Sequence, residues 1–187
     1  MREKIRDILD DNPIISAVKN NDELEVALKS ESEVIFVLYG NILDIEDISK
    51  KIDSKNKVGI VHIDLIEGLA SREVSLKFIK EKTGFKGIVT TKQAIIKIAK
   101  NLGLYVIYRM FIFDSLSFEN AKKHILNESD AVEILPGVIP KVIKTLAEMS
   151  NKPIIVGGLI ENKEEVINAL NSGATCVSTT EESIWEI

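Results

Sequence analysis

The sequence predicts a parallel α/β barrel of eight strand–helix units, on three observations. Short apolar runs alternate with amphipathic helical stretches along nearly the whole chain, and strands alternating with helices imply a parallel sheet. The runs are apolar throughout rather than alternately apolar and polar, as expected of strands covered on both faces. The units number eight, which suits a closed (β/α)8 barrel better than an open sheet. Such barrels usually run to roughly 200–250 residues or more. A chain of 187 residues leaves about 23 per unit, so the expected fold is a compact (β/α)8 TIM barrel with short loops. The runner-up is a flavodoxin-like open sheet, although no Gly-x-Gly-x-x-Gly follows the first strand to make it a dinucleotide-binding one. One barrel domain is expected over residues 1–187.

Residues 1–11 read as an N-terminal helix with Ile5, Ile8 and Leu9 on one face, stopped by Asn12-Pro13. The first apolar run is 14–18, and its helix begins near Asp22 with Leu24, Ala27 and Leu28 inward. The second run, 34–38, precedes a helix over 44–52; the third, 58–63, precedes one over 71–82. The fourth, 87–90, is followed by a helix over 92–102 that Gly103 stops. Then come runs at 104–110 and 131–135 with helices at 115–127 and 138–149. The seventh run, 154–156, ends in Gly157-Gly158 before a helix at 163–170. The eighth, 175–179, leads to a short final helix around Trp185.

Composition narrows the class. Hydrophobic residues make up 45% and charged residues 28%, enough apolar surface to offset the entropy of ordering the chain. Cys176 is the only cysteine, which excludes a disulfide framework or zinc ribbon; inside an apolar run, it is core filler rather than a nucleophile. No stretch approaches the ~20 apolar residues of a membrane span, and the N-terminus lacks a signal-peptide core. A cytoplasmic protein is expected. The net charge of −5 argues weakly against a nucleic-acid partner but says nothing of local patches.

In a barrel, function sits where strands end and helices begin. Gly157-Gly158 and Ser178-Thr179 end the last two strands, where barrels often bind phosphate: glycine lets backbone N–H groups approach the anion, and hydroxyls add donors. The alternative is a tight turn and a helix cap. His62 and Asp64, two apart, share a face if the third strand persists that far, and Glu133 ends the sixth. These three could form a catalytic site of the phosphosugar-isomerase kind, bind the hydroxyls of a polyol, or make a buried ion-pair network. A metal is disfavoured, since no His-x-x-x-His pair exists and His124 falls in a helix. Lys19 and Arg109 bring positive charge to the same end, for a phosphate or carboxylate or for pairing with Glu133 or Asp64.

The charge map is uneven. Residues 77–100 hold seven lysines and one acid, Glu81. Lys80, Lys82, Lys86, Lys97 and Lys100 should lie on or beside the outer wall, and Lys92 at a strand end. Such a face is the footprint of a polyanion partner or a solvated lysine surface.

Longer strings carry a resemblance. They are Asn12-Pro13-Ile14-Ile15-Ser16-Ala17-Val18-Lys19, Val61-His62-Ile63-Asp64-Leu65-Ile66-Glu67-Gly68-Leu69, Thr90-Thr91-Lys92, and Arg109-Met110-Phe111-Ile112-Phe113-Asp114-Ser115. Glu133-Ile134-Leu135-Pro136-Gly137, Gly157-Gly158-Leu159-Ile160 and Val177-Ser178-Thr179 complete the set. Together they resemble the glycerol-3-phosphate-responsive antiterminator family, the regulators of glycerol uptake operons, from Asn12 almost to the C-terminus. The resemblance implies a regulator without catalysis or cofactor. Its effector is glycerol 3-phosphate, and it binds leader mRNA when the effector is present and lets transcription pass a terminator. That effector, a phosphate plus two hydroxyls, fits a Gly157/Gly158/Ser178/Thr179 phosphate cup facing His62, Asp64 and Glu133, with Lys19 and Arg109 expected at the same mouth. The competing class is a small phosphosugar isomerase or aldolase, against which the short loops stand, since none is long enough for a lid.

Overall fold

The computed structural model describes residues 5–186. Its order is α1 (Ile5–Asp11), β1 (Ile14–Val18), α2 (Asn21–Ala27), β2 (Val34–Val37), α3 (Ile45–Ser54), β3 (Val58–His62), α4 (Glu73–Lys82) and β4 (Gly87–Thr90). There follow α5 (Ile96–Asn101), β5 (Tyr105–Phe111), α6 (Ser115–His124), β6 (Ala131–Leu135), α7 (Pro140–Met149), β7 (Ile154–Gly157), α8 (Lys163–Asn171) and β8 (Cys176–Thr179). The eight strands are parallel and close in sequence order, β8 pairing back to β1 with Ile15 opposite Ser178. The expected (β/α)8 barrel is the observed one. The first four residues of the expected N-terminal helix lie outside the described residues.

Two apolar zones hold it together. Inside the sheet, Ile15, Phe36, Ile60, Ile107, Ile155 and Cys176 fill the barrel, buried with no measurable exposure. Ile5 and Leu9 of α1 join this zone, with Ile8 half-buried beside them, so α1 plugs one end. Between sheet and helices lies the second zone, including Leu24, Ile35, Leu76 and Ile79. At about 25 cal/mol per Å2 of apolar area, fully burying each such side chain stabilises by roughly 1.5–3 kcal/mol. Among the described residues no helix is long and apolar enough to cross a membrane.

Short loops are possible because helices start at once. Asn20 and Asn162 cap α2 and α8 by accepting from the backbone N–H groups of Glu23 and Glu165. Asp114 forms a capping box with Ser117 at α6, so it is a helix cap rather than part of a site.

Three boundaries differ from expectation in ways that matter. The third strand ends at His62, and Ile63–Leu65 form a 3-10 turn, so Asp64 does not share the strand face of His62. The helix after β4 opens with a 3-10 turn over Gln93–Ile95 before α5. The final helix is a three-residue 3-10 turn, Glu182–Ile184, capped by the Glu181 carboxylate.

Candidate ligand site at the barrel mouth

Side chains alternate along a strand, so the interior set continues two residues on. Ile60 is followed by His62, Ile107 by Arg109, Ala131 by Glu133, Ile155 by Gly157 and Cys176 by Ser178. The interior thus changes from apolar to polar at the C-terminal ends of the strands. Above this layer opens a cavity of about 610 Å3, walled by Arg109, Glu133, Gly158, Ile160, Ser178 and Thr179 among others.

Its floor is a chain of hydrogen bonds. Glu133, with 0% exposure, accepts from Arg109 Nε at 2.6 Å and from Ser178 Oγ at 2.6 Å. Arg109 stands opposite Glu133 in the β5–β6 register. Among the described residues, the terminal guanidinium nitrogens of Arg109 have no protein partner, which leaves donors for a ligand. A buried ion pair is costly to desolvate and contributes little net stability, but it fixes charge and direction. His62 is 3% exposed, and its Nδ1 has no hydrogen-bond partner. Burial, reinforced by the Arg109 charge, pushes its pKa down to about 4, so the ring is neutral near pH 7.

Gly157 serves this floor. A Cβ there would collide with Ser178 Oγ and stand 3.2 Å from Glu133 Oε1. Gly158 has φ of +74° and Leu159 φ of 62°, so the β7 loop turns through the left-handed region, which Gly adopts without steric cost. The Thr179 hydroxyl donates to the Ile160 carbonyl at 2.8 Å and accepts from Glu181 N at 3.0 Å. It therefore fastens the β8 loop to the β7 loop. The buried Trp185 donates from Nε1 to the Thr179 carbonyl at 2.9 Å.

Asp64 is engaged elsewhere. Its carboxylate accepts from Thr90 Oγ1, from Thr91 N at 2.8 Å and Oγ1 at 3.0 Å, and from Ser71 Oγ at 2.7 Å. Burial raises its pKa, but the Thr91 amide and the three hydroxyls outweigh that and hold it below the usual range. Asp64 thus organises the β4 loop. Lys19 is exposed and pairs with Glu23 at 3.7 Å; it does not line the cavity. Cys176 is fully buried, and desolvation pushes its thiol pKa up, in keeping with core filler.

Of the expected residues, the cavity therefore gathers Arg109, Glu133, Gly158, Ser178 and Thr179, with Gly157 behind them. Leu135, Leu159 and Ile160, which stand in the strand-end strings without an expected role, form walls, and Glu161 and Glu181, which sequence reading missed, lie at the rim.

The lysine cluster proves largely ion-paired. Lys77 meets Glu73 at 2.8 Å, Lys86 meets Asp53 at 2.9 Å and Lys100 meets Asp130 at 2.9 Å. Lys80 reaches the Gly103 carbonyl at 3.4 Å, and Lys92 donates to Ser71 Oγ at 2.8 Å. Lys92 also lies 4.0 Å from Asp64, and among the described residues Lys80, Lys82 and Lys97 have no acidic partner within ion-pair distance.

The chain is 42% identical over 181 residues to the uncharacterized protein YgcP of Escherichia coli (strain K12), covering 96% of this chain and 95% of that protein. Its fold superposes on a glycerol uptake operon antiterminator regulatory protein from Listeria monocytogenes with a TM-score of 0.88 at 29% identity, covering 92% of this chain and 94% of that one. A glycerol uptake operon antiterminator-related protein from Thermotoga maritima gives 0.84 at 29%, covering 94% and 99%. Deoxyribose phosphate aldolase from Aeropyrum pernix, at 0.71 and 13% identity over 96% and 89%, shares the fold alone. Residues 14–185 match the glycerol-3-phosphate responsive antiterminator family, and with that match covering nearly the whole barrel and its mouth, the chain belongs to this family.

Proposed function

We propose that this chain is a cytoplasmic regulator that binds glycerol 3-phosphate at the barrel mouth and, so loaded, binds the leader mRNA of a glycerol uptake operon. Membership of the family supports the effector class. The observation that carries the site is the buried Arg109–Glu133–Ser178 chain beneath a 610 Å3 cavity. Glu133 fixes Arg109 in place, and Arg109 has donors to spare for the ligand. The phosphate would rest against Gly158 and the Thr179–Thr180 backbone, where no side chain screens Gly158 from the anion.

A regulator is favoured over an isomerase or aldolase by the same geometry. Glu133 is committed to Arg109 and Ser178, and Asp64 to the β4 loop, so neither is a carboxylate free to take a substrate proton. The deciding experiment is calorimetry with glycerol 3-phosphate, inorganic phosphate and glycerol, followed by NMR of the recovered ligand. Tight binding of unchanged glycerol 3-phosphate is expected; turnover would make the chain an enzyme. Binding no tighter than that of inorganic phosphate would remove the polyol subsite.

A further inference from the structure

A second concavity lies outside the barrel, lined by the β4 loop, the end of β5 and α6. It holds about 280 Å3, with Tyr108 and Met110 of β5 among its walls, Thr91 and Phe113 near its head, and Asn120 and His124 along α6. A smaller cleft of about 220 Å3 is lined by Gln93, Lys97 and Asn127 of the flanking segments. On the other side of Phe113 is a third, of about 270 Å3, bordered by Ile112, Phe118 and Lys141. Phe113 stands as a partition between two clefts while 82% exposed, and Phe111 beside it is 48% exposed.

We propose that this groove beside α6 is the seat of unpaired RNA bases, with Phe111 and Phe113 as stacking platforms; this rests on the regulator reading above. Stacking on exposed aromatic rings is how single-stranded bases are held without a duplex. The groove also supplies what a base edge needs. Asn120 and His124 place amide and imidazole groups along a wall that Arg109 also lines, while the hydroxyls of Thr91 and Ser117 are taken up by Asp64 and the α6 cap. Of the six Lys or Arg from Lys92 to His124, four face an acid (Lys92 to Asp64, Lys100 to Asp130, Arg109 to Glu133, Lys122 to Glu119), and among the described residues Lys97 and Lys123 have no acidic partner within ion-pair distance. Asp114 is spent on its capping box and Glu119 on Lys122. Lys97 is among the lysines left without an acidic partner, and it borders the smaller cleft. A second copy of this chain would instead want a continuous apolar face, which Arg109, Asn120 and His124 interrupt.

The groove also touches the effector site. Arg109 borders both the mouth cavity and the groove. Thr91, at the head of the groove, is held by Asp64 through two hydrogen bonds. An effector that engages Arg109 therefore acts on a wall that the RNA shares, which gives the two ligands a common element to bias.

The test uses the full chain, saturating glycerol 3-phosphate and a labelled transcript of the glycerol-operon leader from the same genome. Phe111→Ala combined with Phe113→Ala should weaken RNA binding at least ~10-fold while calorimetric affinity for glycerol 3-phosphate and melting temperature stay unchanged. With 4-thiouridine in the transcript, photocrosslinks should map to α6 and the β5–α6 loop. Wild-type RNA affinity in the folded double variant, or crosslinks confined to α4, overturns the groove while leaving the regulator reading in place. No RNA binding by the wild type at any effector concentration overturns both. A variant that loses self-association in sedimentation but keeps RNA binding makes a second copy the occupant and also overturns the proposal.

Discussion

Ser178 donates its hydroxyl hydrogen to Glu133 Oε1 at 2.6 Å, reaching from β8 to β6 across β7, and it can do so because the intervening position 157 is glycine. Three strands thus share one polar contact in the interior of the barrel. Ser178→Ala leaves a fully buried carboxylate oxygen without its partner, at a cost of about 1–3 kcal/mol. Gly157→Ala should cost more, because the methyl group drives Ser178 away from Glu133. The two changes should be strongly non-additive, since removing Ser178 Oγ relieves the collision. A double-mutant cycle by urea denaturation measures this coupling; additive losses would show that Gly157 and Ser178 act independently.

Gly158 differs from its neighbour. A Cβ there would meet Leu135 at an ordinary 3.4 Å, but φ is +74°, so the penalty is conformational, about 1–2 kcal/mol for an L-residue in the left-handed region. Gly158→Val, β-branched and stiff, should also draw the loop off the anion and weaken glycerol 3-phosphate binding at least ~10-fold, or about 1.4 kcal/mol. Unchanged affinity in calorimetry of a folded variant would place the phosphate away from the β7 loop.

His62 sets a pH dependence with a definite sign. Its pKa is about 4 in the folded chain and about 6.5 when unfolded. Between those values the unfolded state binds more protons, so stability falls as pH drops from about 6.5 to about 4, by about 3 kcal/mol in all. Asp64, with its lowered pKa, acts in the same direction at more acid pH. Denaturation midpoints of wild type and His62→Asn over pH 4–7 isolate the contribution, and the variant should show the shallower slope. Parallel curves would mean that His62 is not the neutral buried group described.

Much of this was legible in the sequence. Eight apolar runs gave the eight strands to within a residue or two, because strands covered on both faces need continuous apolar character. Arg109, Glu133 and Ser178 stood out as polar residues in runs that could not bury them unpaired. What pairs with what was not legible. Asp64 appeared aligned with His62, but the chain leaves the strand at Ile63, and the carboxylate turns to Thr90, Thr91 and Ser71. The lysine surplus of residues 77–100 was real in the sequence, yet Asp53 and Asp130, distant in sequence, fold back onto Lys86 and Lys100. Charge counted along a chain does not see partners brought by neighbouring elements.

The arrangement around Asp64 leads to the last expectation. Thr91 presents both its amide and its hydroxyl to one carboxylate oxygen, at 2.8 and 3.0 Å. Lys92 completes the set by donating to Ser71, itself a donor to Asp64, and its ammonium lies 4.0 Å from the carboxylate. The β4 loop is therefore organised by one negative charge. Asp64→Asn keeps the shape but turns charge-assisted bonds, each worth roughly 1.5–3 kcal/mol, into weaker neutral ones and sets an amide N–H against a donor. The Thr91 amide should then exchange its hydrogen faster while glycerol 3-phosphate still binds, because Asp64 does not line the cavity. If the loop links effector and RNA, the ratio of RNA affinities with and without glycerol 3-phosphate should shrink toward one in this variant. Lys92→Gln, which removes one tie and leaves the carboxylate, should shrink it less. A variant with fast Thr91 exchange but an undiminished effector response would take the β4 loop out of the coupling and leave Arg109 as the element common to both sites.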